Sequence, residues 1–131
     1  MEKSQGTVQR IVNGNMLSKP LLKVAVATKV ERGILGIAIS KTGPHTYLFL
    51  YYTRSGGGKT REDVTAGIQP LGDRLYRYEL INNQLMNPKL LLNLPAIPAD
   101  PTSQETNHNG GKVVIGEIEM FTLSLEMLEV I

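Results

Sequence analysis

Thr106-Asn107-His108-Asn109-Gly110-Gly111-Lys112-Val113-Val114-Ile115-Gly116 is a polar loop that carries a histidine, tightens on two glycines and runs at once into an apolar strand. One other segment is built the same way: Val30-Glu31-Arg32-Gly33-Ile34-Leu35-Gly36-Ile37-Ala38-Ile39. Taken as equivalent places in a repeated fold, the two order the rest of the chain. Val8-Gln9-Arg10-Ile11, then Pro20-Leu21-Leu22, then Gly33, is echoed by Leu75-Tyr76-Arg77-Tyr78, then Pro88-Lys89-Leu90-Leu91, then Gly110-Gly111. Arg10 to Arg77 is 67 residues and Pro20 to Pro88 is 68. A period of that length holds about four short strands, the long-bladed end of β-propeller repeats.

The segments between are short strands and turns. Thr7 to Val12 is β-branched and ends at Asn13-Gly14-Asn15, strong hairpin chemistry. Leu21 to Ala27 is a second apolar run, and Gly33 to Ile39 reads as a strand buried on both faces. After the turn at Lys41-Thr42-Gly43-Pro44, Thr46 to Thr53 sets Tyr47, Phe49 and Tyr51 on one face and Leu48, Leu50 and Tyr52 on the other. Large apolar residues on both faces predict a sheet packed between other layers. Arg54 to Gly72 reads as a surface loop, Asp73 to Ile81 as a half-exposed strand, and Leu90 to Leu94 as a short strand closed by Pro95. The prediction is an all-β fold, a partial β-propeller of about one and a half to two four-stranded blades. A propeller typically needs at least about four blades to close, so this chain is expected to be part of one.

The totals fit a soluble globular chain of 131 residues, with 41% apolar and 20% charged residues. A net charge of +2, with the basic residues scattered, argues against nucleic acid. The absence of cysteine excludes disulfides and thiolate metal sites. Met1-Glu2-Lys3-Ser4-Gln5 contains no apolar signal-peptide core, and no apolar run reaches the roughly 18 residues of a membrane span.

Over roughly residues 5 to 116 the sequence resembles the glucose/sorbosone dehydrogenase family, six-bladed propellers that use pyrroloquinoline quinone (PQQ) and calcium. The resemblance rests on Glu31-Arg32-Gly33-Ile34-Leu35-Gly36-Ile37-Ala38, on Tyr47 to Thr53, on Arg74-Leu75-Tyr76-Arg77-Tyr78 and on Asn107-His108-Asn109-Gly110-Gly111, in that order and spacing. It implies an N-terminal fragment of a PQQ-dependent aldose dehydrogenase, typically periplasmic or extracellular. His108 would be the general base that takes the proton of the anomeric hydroxyl, which suits imidazole with its pKa near about 6.5. Glu31 and Asn107 would face the sugar. Glu31 stands where the glucose dehydrogenases place a glutamine, which keeps an acceptor and loses an amide donor. The family's residues for PQQ and calcium lie further along the chain than Ile131, so the isolated chain is expected to be inactive. The other class weighed is a non-catalytic propeller module that binds a protein or glycan.

Two stretches need separate readings. Ser55-Gly56-Gly57-Gly58-Lys59-Thr60 falls short of a phosphate loop, because G-x-x-x-x-G-K-[ST] requires glycine where Thr53 stands. Glu117 to Ile131 departs from the family's pattern. Read one frame over, Met120-Phe121-Thr122 permits Val-Tyr and Leu125 to Val130 permits Gly-Asp-Val-Gly-Gly, both close to what relatives carry there. Residues 1–116 are therefore expected to form the propeller portion, and 117–131 an atypical tail, from a frameshift or from a native acidic helix or strand. Uncovered sheet faces in a partial ring would favour self-association.

Overall fold

The computed structural model describes residues 1–96 and 109–116, and the backbone of 121–125. The fold is all-β, with a single helical turn among the described residues. Ten strands form there: β1 (Thr7–Val8), β2 (Ile11–Val12), β3 (Asn15–Met16), β4 (Leu22–Lys23), β5 (Ile34–Thr42), β6 (His45–Arg54), β7 (Gly72–Ile81), β8 (Gln84–Leu94), β9 (Gly111–Ile115) and β10 (Phe121–Leu125). The helical turn, α1 (Glu62–Thr65), lies between β6 and β7.

The centre is a four-stranded antiparallel meander, β5-β6-β7-β8. β6 was the strand best marked by its sequence, and its two faces part as the alternation predicts. Leu48, Leu50 and Tyr52 enter one core with Tyr76, Tyr78 and Leu85 of the same sheet. Val8, Val24 and Val26 cover that core from the N-terminal side. Tyr51 enters the second core with Leu75 and Val113 of β9, and Phe49, Leu35 and Ala38 pack at its margin. The meander is therefore the middle layer of three. The outer layers are short antiparallel pairs, β1 with β4 and β2 with β3 on one side, β9 with β10 on the other. All sheets are open.

Turn chemistry accounts for the hairpins. Asn13 and Gly14 adopt φ of 50° and 78°, and Asn82 and Asn83 adopt 49° and 59°, the left-handed pair that a two-residue hairpin needs. Four expectations are corrected. β7 is mostly buried rather than half-exposed, with Leu75, Tyr76 and Tyr78 all inside. Arg54 and Arg74 direct guanidinium N–H groups to the Tyr76 hydroxyl, at 2.6 and 3.3 Å. β8 begins at Gln84, well before Leu90, because Pro88 sits on an edge strand at an irregularity where Asn87 has φ 54°. β5 is buried on both faces only in its first half, since Ile39 is exposed. The long excursion after Arg54 holds α1, whose Asp63 is buried.

Candidate functional site

Glu31 sits in a turn held from beneath by a buried ion pair. Arg32 turns inward, and its Nη1 lies 3.2 Å from Asp63 Oδ2, each side chain only 2% exposed. Arg32 Nη2 also donates to the Ala96 carbonyl at 3.3 Å. The other contacts of the Asp63 carboxylate are the backbone N–H groups of Thr28 and Lys29, both at 2.8 Å. Burial pushes this carboxyl up, but the two N–H groups and the guanidinium outweigh it and hold it below its ordinary value. The turn is closed by Arg32 N–H to the Lys29 carbonyl, 3.2 Å, with Val30 forced to φ 57°. A β-branched residue pays dearly in that left-handed region.

Gly33 then has φ 139°, and a Cβ there would lie 2.7 Å from the Lys3 carbonyl oxygen. Its glycine is therefore required both by conformation and by space. The close approach docks the N-terminal segment on β5, with Ile34 N–H donating to Lys3 O at 3.0 Å. On the other face of β5, a Cβ on Gly36 would stand 3.0 Å from Gly111 O and 3.2 Å from Val113 Cγ2. Gly36 thus lets the start of β9 approach closely.

These constraints bring the two glycine-tipped segments together. A cavity of about 660 Å³ is lined by Glu31, Ile34 and Leu35 from the first and by Gly110, Gly111 and Lys112 from the second, with Met1 and Lys3 at its border. Its lining thus includes one carboxylic acid side chain, two lysines and the backbone of two glycines, groups that can accept and donate hydrogen bonds. Of the sequence-derived candidates, Glu31 lines this cavity; His108 and Asn107 lie outside the described residues. Asn109, next to them, is buried. Among the described residues, no three His, Cys, Asp or Glu side chains cluster to hold a metal ion.

The sequence did not reveal the buried acids beneath the site. Asp63 stood in a polar stretch without periodicity, and nothing in Arg61-Glu62-Asp63 distinguishes a buried carboxylate from a solvated one. Asp73 is buried too; Thr53 Oγ1 donates to it at 2.6 Å. Burial pushes its carboxyl up to about 6, against the Thr53 hydrogen bond and the nearby Arg32 charge.

The glycine-rich loop at Ser55 to Thr60 is filled from within. Ser55 Oγ donates to Glu62 Oε2 at 2.6 Å, and Lys59 N–H donates to the same oxygen at 3.1 Å. A Cβ on Gly57 would meet that carboxylate at 2.5 Å. The protein's own anion stands where a phosphate would need to sit. His45 is exposed and stacks on Tyr47 at 6.0 Å between ring centroids, while the Arg77 guanidinium lies 4.8 Å over the Tyr47 ring. Comparison with protein families, with curated proteins and with solved structures returns no match for this chain.

Proposed function

We propose that the chain is the N-terminal part of a propeller-type sugar dehydrogenase, and that the cavity between Glu31 and Gly110–Gly111 is the wall that receives an aldose. The observation carrying this reading is that two segments distant in sequence, matched by the internal echo, line one polar cavity. The layered order also supports it. Two short antiparallel pairs, a four-stranded meander and a hairpin follow one another face to face, as successive blades would. In this reading the Glu31 carboxylate accepts a hydrogen bond from a sugar hydroxyl, and Gly110 and Gly111 leave room for the ring. His108 Nε2 or Nδ1, two positions before Gly110, removes the proton of the anomeric hydroxyl. A bound PQQ would supply the hydride acceptor.

The test uses the coding DNA. Continued in the alternative frame beyond Gly116, it should encode further four-strand repeats, and the extended protein should oxidise aldoses when given PQQ, calcium and a dye acceptor. Replacing His108 in that protein should lower kcat by about 10²–10⁴-fold, the usual contribution of a positioned general base. An alternative frame that stops or yields no strand repeats refutes the frameshift. An extended protein without aldose oxidation, or one indifferent to His108→Ala, refutes the enzymatic reading.

A further inference from the structure

The strand inventory contains one complete meander and two halves. In the meander, β6 joins the first hairpin (β5-β6) to the second (β7-β8) by antiparallel pairing, with Leu48 opposite Tyr78 and Leu50 opposite Tyr76. β9-β10 repeats the first hairpin: both open at a glycine-tipped start and both are antiparallel. β1 and β2 with β3 and β4 repeat the second hairpin. The repeat extends to register, because Val8 pairs with Leu22 as Tyr76 pairs with Leu90, each 68 positions on. Each half lacks the other. Among the described residues β10 pairs with β9 alone, and β2 with β3 alone.

We infer that the β9-β10 hairpin of one copy pairs along the β1-β2 edge of a second copy, completing there a four-stranded sheet like β5-β8. Side-chain exposure argues for a missing strand at that edge. Ile11 pairs with Met16 beside its two-residue turn as Leu80 pairs with Leu85 in the complete sheet; Ile11 is 64% exposed, whereas Leu80 packs against the core and Leu85 is 7% exposed. Met16, opposite Ile11, is also exposed. The backbone is ready to pair. Arg10 O accepts from Leu17 N–H within the hairpin, so the alternation of a strand turns the Ile11 N–H and C=O outward. Glu2 bridges Thr7 and covers only the beginning of the edge. The contact is heterologous, since a hairpin on one copy meets a different edge on the next, so assembly proceeds head to tail. Each copy adds two sheets' worth of strands. Rings of about four to eight sheets then need two to four copies. This inference rests on the strand repeat and does not depend on sugar chemistry.

Sedimentation velocity of the full chain over a concentration series tests it. A reversible species of two to four copies is expected. Ile11→Lys puts a charge on the pairing edge at an exposed position, and Leu123→Pro breaks the β10 ladder. Each variant alone should sediment as a monomer with an unchanged β-type circular dichroism spectrum. An equimolar mixture should form a one-to-one dimer and nothing larger, because one intact donor and one intact acceptor edge remain. A monomer at every concentration overturns the inference, as does an assembly indifferent to Ile11→Lys. A Leu123→Pro protein that still dimerises would instead indicate symmetric pairing of two β2 edges, and would also overturn it.

Discussion

Removing the Asp63 carboxylate should unfold the turn that carries Glu31. In Asp63→Ala the buried Arg32 guanidinium keeps only the Ala96 carbonyl, and the Thr28 and Lys29 N–H groups lose their acceptor. Breaking a buried pair by deleting one partner costs about 3–5 kcal/mol, and each orphaned buried donor about 1–3 kcal/mol more where water cannot reach it. Water entry at Lys29, which is exposed, relieves part of the second cost. A loss of about 4–6 kcal/mol is expected, a large share of the roughly 5–15 kcal/mol that holds a typical domain. Urea unfolding followed by circular dichroism at pH 7 gives the value directly, and the melting temperature should fall by roughly 15 °C or more. Replacing both residues, as Arg32→Met with Asp63→Leu, should recover at least about 2 kcal/mol relative to the sum of the single changes. A loss below about 1 kcal/mol for Asp63→Ala, or additivity of the pair, would refute the assignment of this ion pair as the anchor of the turn.

Asp73 couples stability to pH. Its folded carboxyl is raised to about 6, above an unfolded value near about 3.9. Its contribution is therefore most favourable below about pH 4 and is lost as pH rises through about 6, a change on the order of 3 kcal/mol. Asp73→Asn should be more stable than the parent above pH 6 and similar to it below pH 4, read from urea midpoints across pH. Gly33→Ala should destabilise by more than about 2 kcal/mol, because the new methyl meets the Lys3 backbone and φ 139° is strained for alanine. Val30→Gly should instead stabilise by about 0.5–1 kcal/mol in urea unfolding, since it relieves a left-handed β-branched residue at an exposed site.

Much of the fold was legible where one physical rule acts alone. β6 could be read because alternate residues are large and apolar on both faces, and each face found its core. The turn at Asn13-Gly14 could be read because few residues tolerate positive φ in succession. Where two rules competed, the sequence misled. The strand read as Leu90 to Leu94 in fact starts at Gln84, since an edge strand tolerates Pro88 at a bulge. Arg74 and Arg77 made β7 look half-exposed, whereas Arg74 reaches the Tyr76 hydroxyl and Arg77 covers the Tyr47 ring. For the site, the echo between Glu31-Arg32-Gly33 and His108-Asn109-Gly110-Gly111 marked equivalent places in a repeat; Glu31, Gly110 and Gly111 line one cavity, while His108 lies outside the described residues. Arg32, Asp63 and Asp73 were illegible, because a carboxylate that will be buried has no local signature until its partner is brought in from another strand.

The most direct test of the central claim is an amide-resolved NMR titration of the chain with an aldose. The account predicts that millimolar sugar shifts the amide resonances of Glu31, Gly110, Gly111 and Lys112 together, and that Glu31→Ala weakens the response several-fold while the spectrum elsewhere stays unchanged. Shifts confined to other surfaces, or none at up to about 100 mM sugar, would contradict it, that concentration corresponding to a binding free energy of only about 1.4 kcal/mol.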